Sequence, residues 1–155
     1  MTNNDVLRSL RYALDLSEPK IVEICKLVDY DVDRAALAAW LKKEDEEGYV
    51  ECSDDAMTGF LDGLIAHKRG SLATKSEPDK NPRARLSNNT QLKKIRVAFE
   101  LKEEDMHAVL ALADFQISKP ELSTLFRKKG HKNYRDCGDQ ILRNFLKGLT
   151  VRLRG

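Results

Sequence analysis

The sequence predicts an all-α protein built from two tandem homologous modules of about four helices each, related by a pseudo-two-fold. Three observations carry this. Shifted by 85 positions, Asn3–Gly70 aligns with Asn88–Gly155 without a gap, and about 20 of 68 positions are identical. The composition is 34% charged and only 6% aromatic, with 8 glycines, which suits a helical protein. Apolar residues recur at spacings of three and four, and no stretch alternates with period two long enough to make a strand.

The first helix is expected to start at the asparagine pair, with Asn4 and Asn89 as N-caps. Its apolar face is Leu7, Leu10 and Leu14 in one copy and Leu92, Ile95 and Phe99 in the other. Leu16 and Leu101 follow where the chain turns. The second helix begins near Ser17-Glu18-Pro19, because proline is tolerated in a first turn. It carries Ile21, Ile24, Cys25 and Val28, matched by Met106, Val109, Leu110 and Ala113. Turns follow at Asp29-Tyr30-Asp31 and Asp114-Phe115-Gln116. The third helix is capped by Asp33 and by Ser118, the latter in a capping-box pattern ending at Glu121. Leu37, Trp40 and Leu41 match Leu122, Leu125 and Phe126. The fourth begins near Cys52-Ser53-Asp54, and its Met57, Phe60, Leu61 and Leu64 match Leu142, Phe145, Leu146 and Leu149. Basic residues in its last turn, His67-Lys68-Arg69 and Arg152-x-Arg154, complement the helix dipole.

The copies divide the chain into a first helical repeat, 1–70, a linker, 71–87, and a second repeat, 88–155. The linker reading rests on two prolines and several small polar residues. Three cysteines without paired spacing argue for reduced thiols and a cytoplasmic location, not for a disulfide framework or a zinc site. No apolar run approaches the roughly 20 residues of a membrane span.

Net charge is +2, but it is unevenly spread. Residues 1–70 hold 9 basic and 15 acidic side chains, and residues 88–155 hold 14 basic and 8 acidic. Such asymmetry points either to an acidic partner or to attraction between the halves.

The search for catalytic chemistry is nearly empty. There is no phosphate-binding glycine loop, no metal-ligand spacing and no clear carboxylate pair. His67, His107 and His131 occupy unrelated positions, so no histidine base is shared by two equivalent sites. The chain is therefore read as a non-enzyme needing no cofactor and no metal. Tyr49-x-x-Cys52-x-Asp54 and Tyr134-x-x-Cys137-x-Asp139 form the most site-like element, since a cysteine near a helix start can be activated. Without a partner histidine, Tyr49, Tyr134, Cys52 and Cys137 are read as structural. So are Arg11 and Arg96, which could pair with Asp15 and Glu100 one turn on or reach the turn aspartates Asp29 and Asp114.

Helices two and three locally resemble the helix-turn-helix of phage-repressor-like DNA-binding domains. The resemblance lies in Val32-Asp33-Arg34-Ala35-Ala36-Leu37 and Ile117-Ser118-Lys119-Pro120-Glu121-Leu122. The segment between the helices is longer than that family's tight turn and lacks glycine. In the first copy the exposed face of helix three is Ala35, Ala38 and Ala39, which cannot read base edges. The second copy is better supplied, with Lys119, Arg127, Lys128, Lys129, Lys132, Arg135 and Arg143 as candidate binding residues.

Over both repeats, Leu10-Arg11-Tyr12-Ala13-Leu14, Ala39-Trp40-Leu41-Lys42-Lys43-Glu44 and Val50-Glu51-Cys52-Ser53-Asp54 resemble the YehS-like family of bacterial proteins. That resemblance implies a bacterial cytoplasmic protein and brings no activity, ligand or catalytic residue with it. The functional expectation is a binding or adaptor module whose basic second repeat engages nucleic acid or an acidic protein. The alternative is a protein-interaction or homo-oligomerisation scaffold in which the acidic and basic halves dock.

Overall fold

The computed structural model describes residues 1–70 and 86–154. Most of the expected linker, 71–85, lies outside the described residues. Leu86 is buried, with its amide on Asp54 of the first repeat, and Ser87 caps the first helix of the second repeat.

Each repeat has four helices. The first has α1 (Asn3–Leu14), α2 (Glu18–Lys26), α3 (Arg34–Trp40) and α4 (Asp54–Arg69). The second has α5 (Asn88–Ala98), α6 (Glu103–Leu112), α7 (Lys119–Leu125) and α8 (Asp139–Arg154). There is no strand among the described residues. Side-chain caps start most of the helices, from Ser17, Asp33, Ser53 and Ser118. The cap of α1 differs from expectation. It is Thr2, in a capping box with Asp5, and α5 is capped by Ser87, whose side chain accepts from the Thr90 amide. Asn4 and Asn89 sit inside the first turn and are buried.

The turns expected after α1, α2, α5 and α6 are present, and they use no glycine. Asp15, Asp29, Glu100 and Asp114 all hold positive φ, between 52° and 58°. The residue after each one donates its amide back to a carbonyl five positions earlier, as Tyr30 does to Cys25 and Phe115 to Leu110. An aspartate tolerates this conformation better than most side chains. Arg11 and Arg96 secure the first of these turns in each repeat. Their Nε atoms donate to the carbonyls of Leu16 and Leu101 at 3.1 and 2.9 Å, not to the carboxylates of Asp15, Glu100, Asp29 or Asp114. The Arg96 guanidinium also stacks on the Phe126 ring, 4.5 Å from its centroid.

The two repeats are interlocked. α1 lies along α8 of the other repeat and hardly meets its own α4, and α5 correspondingly lies along α4. Each long helix is thus held between its own repeat's second helix and the other repeat's first. Leu7 and Leu92, Leu37 and Leu122, Phe60 and Phe145, and Leu64 and Leu149 are buried at equivalent places in one continuous core. Removing α1 from α8 would expose Val6, Leu7 and Leu10, at a cost on the order of 5 kcal/mol. Neither repeat keeps a complete core without the other.

Polar contacts repeat the exchange. Lys94 pairs with Asp62 across α5 and α4. Arg69 meets Glu100 at 3.1 Å, and its counterpart Arg154 meets Asp15 at 3.9 Å while donating to the Tyr12 carbonyl at 2.8 Å. Two of these pairs, Lys94–Asp62 and Arg154–Asp15, join a cation of the second repeat to a carboxylate of the first.

Candidate nucleic-acid interface

The segment joining α7 to α8 carries the basic excess, and one buried side chain holds it in place. Asn89 donates through Nδ2 to the carbonyls of Leu125 and Arg135, at 3.0 and 2.8 Å. Its Oδ1 accepts from the Cys137 amide at 2.8 Å. Both amide protons and one lone pair of the oxygen are used, so the end of α7, the loop and the approach to α8 are tied to one point on α5. Asn4 makes the same three bonds in the first repeat, to Trp40, Val50 and Cys52. The neighbouring Asn3 and Asn88 add bonds to Asp54 and Asp139, each 2.8 Å. A further bond, from the Arg135 amide to the Thr124 carbonyl at 3.2 Å, lays the loop alongside α7.

The loop and α7 enclose an open cleft of 470 Å³. Arg127, Lys132 and Arg135 line it, together with Ser123, Asn133, Tyr134 and one carboxylate, Glu121. Three of the seven candidate cations are thus brought together. Lys129 instead lines a larger cleft between the repeats, and Lys119, Lys128 and Arg143 line neither. All seven are exposed, and among the described residues none lies within ion-pair distance of a carboxylate. Burial, and then the nearby Asp136 carboxylate, push the Tyr134 phenol above its ordinary value, so it stays neutral at physiological pH.

The equivalent place in the first repeat is chemically different. Lys42, the counterpart of Arg127, turns back and donates to the Glu47 carbonyl at 2.9 Å. A side chain at Gly48 would collide with its ammonium, whereas the matching Asn133 carries one. Ala38 and Ala39 stand where Ser123 and Thr124 are, and Glu44, Asp45, Glu46 and Glu47 surround the loop.

The cleft between the repeats measures 880 Å³ and is lined by Asn3, Asn88, Asp54, Asp139 and Gln91 among others. These groups bond mainly to one another. Asp54 accepts from Asn3 and from the Leu86 amide, and Asp139 from Asn88 and the Met1 ammonium. The ammonium, then Asn88, hold the Asp139 carboxyl below the usual carboxylate range. Gln91 bonds to Asn3 at 3.3 Å, and its buried Oε1 has no partner among the described residues. Among those residues no group of histidine, cysteine and carboxylate side chains is placed to hold a metal ion.

Cys52 and Cys137 lie just before α4 and α8 and are buried. Burial, and to a lesser extent neighbouring groups including Asp54 and Asp139, push their thiols up to about 12 and about 11. Burial likewise raises Cys25 to about 11. A thiol needs the thiolate to react. All three cysteines are therefore expected to label with a neutral-pH thiol reagent at least about a hundredfold more slowly in the native protein than in denaturant. Fast native labelling of Cys52 and Cys137 would show an accessible, activated thiol instead.

Two residues of this candidate surface are not marked as such by the sequence. Asn133 has no matching partner in the first copy, which hid it. The repeat marks Asn89 as an N-cap, but the structure sets it inside the first turn, where it pins the loop. Asparagine is a weak helix former, and its retention inside both first turns is the signal that its side chain has other work.

Comparison with known proteins places the chain. Residues 3–70 and 88–155 each match the family described as a protein of unknown function (DUF1456), and the chain belongs to that family. It is also similar to the Escherichia coli (strain K12) protein described as "Uncharacterized protein YehS", with 45% identity over 152 residues, covering 98% of this chain and 96% of that one. No solved structure matches it. No helix among the described residues is long and apolar enough to cross a membrane.

Proposed function

We propose that this protein is a non-enzymatic binding module that engages nucleic acid through the basic surface of its second repeat. The observation that carries the reading is the convergence of Arg127, Lys132 and Arg135 on one cleft with no carboxylate partner among the described residues. Cations that serve docking of the halves, such as Lys94, Arg69 and Arg154, are used elsewhere. Those left in the cleft are available to phosphate oxygens, and phosphate contacts supply most sequence-independent affinity. The three sparse, unpaired cysteines favour a reducing compartment, and the cytoplasm is the expected site of action.

A second reading is a scaffold in which the acidic and basic halves dock. It is supported by two ion pairs between the repeats, Lys94–Asp62 and Arg154–Asp15, in which a cation of the basic half meets a carboxylate of the acidic half.

The test uses the whole chain, because the repeats share a core. Changing Arg127, Lys132 and Arg135 together to alanine should weaken nucleic-acid binding similarly on all sequences. It should also flatten the dependence of log K on log salt by about 0.7–0.9 for each phosphate that is no longer neutralised. The melting temperature should hardly move, since exposed charges contribute on the order of half a kcal/mol or less. No binding by the unaltered protein at low salt would leave the scaffold reading in its place.

A further inference from the structure

The shape of the basic surface restricts what it can hold. A duplex is read by an element that projects into a groove about 12 Å wide, which a bare helix about 10–12 Å across just fills. α7 is not bare. The loop is fastened along it through the Arg135 amide and the Thr124 carbonyl, so α7 does not project alone. The cations face the hollow between them. At 470 Å³ this hollow is of the size that receives a small molecule or a nucleotide unit.

We infer that the cleft takes single-stranded nucleic acid, with a base stacked on Tyr134 and the adjoining phosphates held by Arg127, Lys132 and Arg135. This rests on the nucleic-acid reading proposed above and specifies the class of strand. Sequence-tolerant single-strand sites combine a cationic groove with an aromatic platform, and both are present in this one wall. Ser123 and Asn133 add hydrogen-bonding groups whose side-chain donors are unused among the described residues, apt for the exposed edge of an unpaired base. The first repeat keeps the tyrosine, Tyr49, but Lys42 is folded back on the Glu47 carbonyl and the loop is acidic, so the site belongs to the second repeat.

The experiment measures fluorescence anisotropy with labelled DNA and RNA strands of about 16 nucleotides, each single and as its duplex, at low salt. Charge alone would favour the duplex, whose charge density is higher. A single strand, of DNA or RNA, should nonetheless bind about tenfold or more tightly than its duplex. Tyr134→Leu keeps an apolar side chain and should lose about tenfold on the single strand without changing the salt slope. Tyr134→Phe should bind within about twofold of the unaltered protein, because the ring is kept. A thermal melt confirms that both variants fold. Independently of folding, a strand carrying a photoreactive base should cross-link to Tyr134 of the unaltered protein. Equal or tighter duplex binding, an unaffected Tyr134→Leu variant, or cross-linking to other tyrosines only would overturn the inference while leaving the nucleic-acid reading intact. Absence of binding to every strand would overturn both.

Discussion

Replacing Gly148 by alanine is expected to destabilise the protein by about 3 kcal/mol or more. Gly148 lies on α8 where that helix crosses α6. A Cβ there would run into the Val109 carbonyl oxygen and stand 2.8 Å from its carbon. Gly63 on α4 meets the Ile24 carbonyl oxygen in the same way, though less severely. Two effects oppose each other. Alanine is the better helix former by about 1 kcal/mol, so an isolated α8 would gain from the change. Against this, the obstacle is backbone inside a helix and cannot turn aside as a side chain would. The helices must separate, and Met106, Val109, Phe145 and Leu149 then pack less closely in a core that has no slack. The steric effect is the larger. Urea unfolding of G148A and G63A measures the difference, with G148A expected to be the worse of the two. A stability equal to or above that of the unaltered protein would show that α6 and α8 do not approach as closely as described.

These glycines also show where reading the sequence reaches its limit. Their identity in both copies is visible, as are the helices, the caps Asp33 and Ser118, and the equivalent core leucines. Spacing reports which face of a helix is buried but not what covers it. The apolar face of α1 is as well satisfied by α8 as by α4, and nothing in Val6, Leu7 and Leu10 distinguishes the two. The exchange of first helices between repeats was therefore not legible, nor was the need for a close crossing at Gly63 and Gly148. The turns at Asp15, Asp29, Glu100 and Asp114 are legible in place but not in conformation. The left-handed turn there is usually marked by glycine, and here an acidic side chain occupies it. The basic cleft was half legible. The charge run pointed to Arg127, Lys132 and Arg135, but their separation from Lys119, Lys128, Lys129 and Arg143 depends on how the loop is pinned.

That pinning gives the last expectation, which links stability to the proposed function. Asn89→Ala removes the partner of three backbone groups at once: the Leu125 and Arg135 carbonyls and the Cys137 amide. The Cys137 amide bond is buried, and a buried polar group left unpaired costs about 1–3 kcal/mol. Alanine recovers about half a kcal/mol through helix propensity. The net loss is expected to be about 3 kcal/mol, and Asn4→Ala should cost a similar amount because Asn4 makes the same three bonds. Aspartate is the sharper probe. It keeps the size and the acceptor for Cys137 but turns a donor into an oxygen facing two carbonyls. Asn89→Asp should thus be at least as destabilising as Asn89→Ala, although it is nearly isosteric. The two asparagines should separate in binding. At a temperature where both variants remain folded, Asn89→Ala should weaken nucleic-acid binding by loosening the loop that carries Lys132 and Arg135. Asn4→Ala, which loosens the acidic loop instead, should bind as the unaltered protein does. Equal losses of binding from the two would mean that the cleft of the second repeat is not where the strand is held.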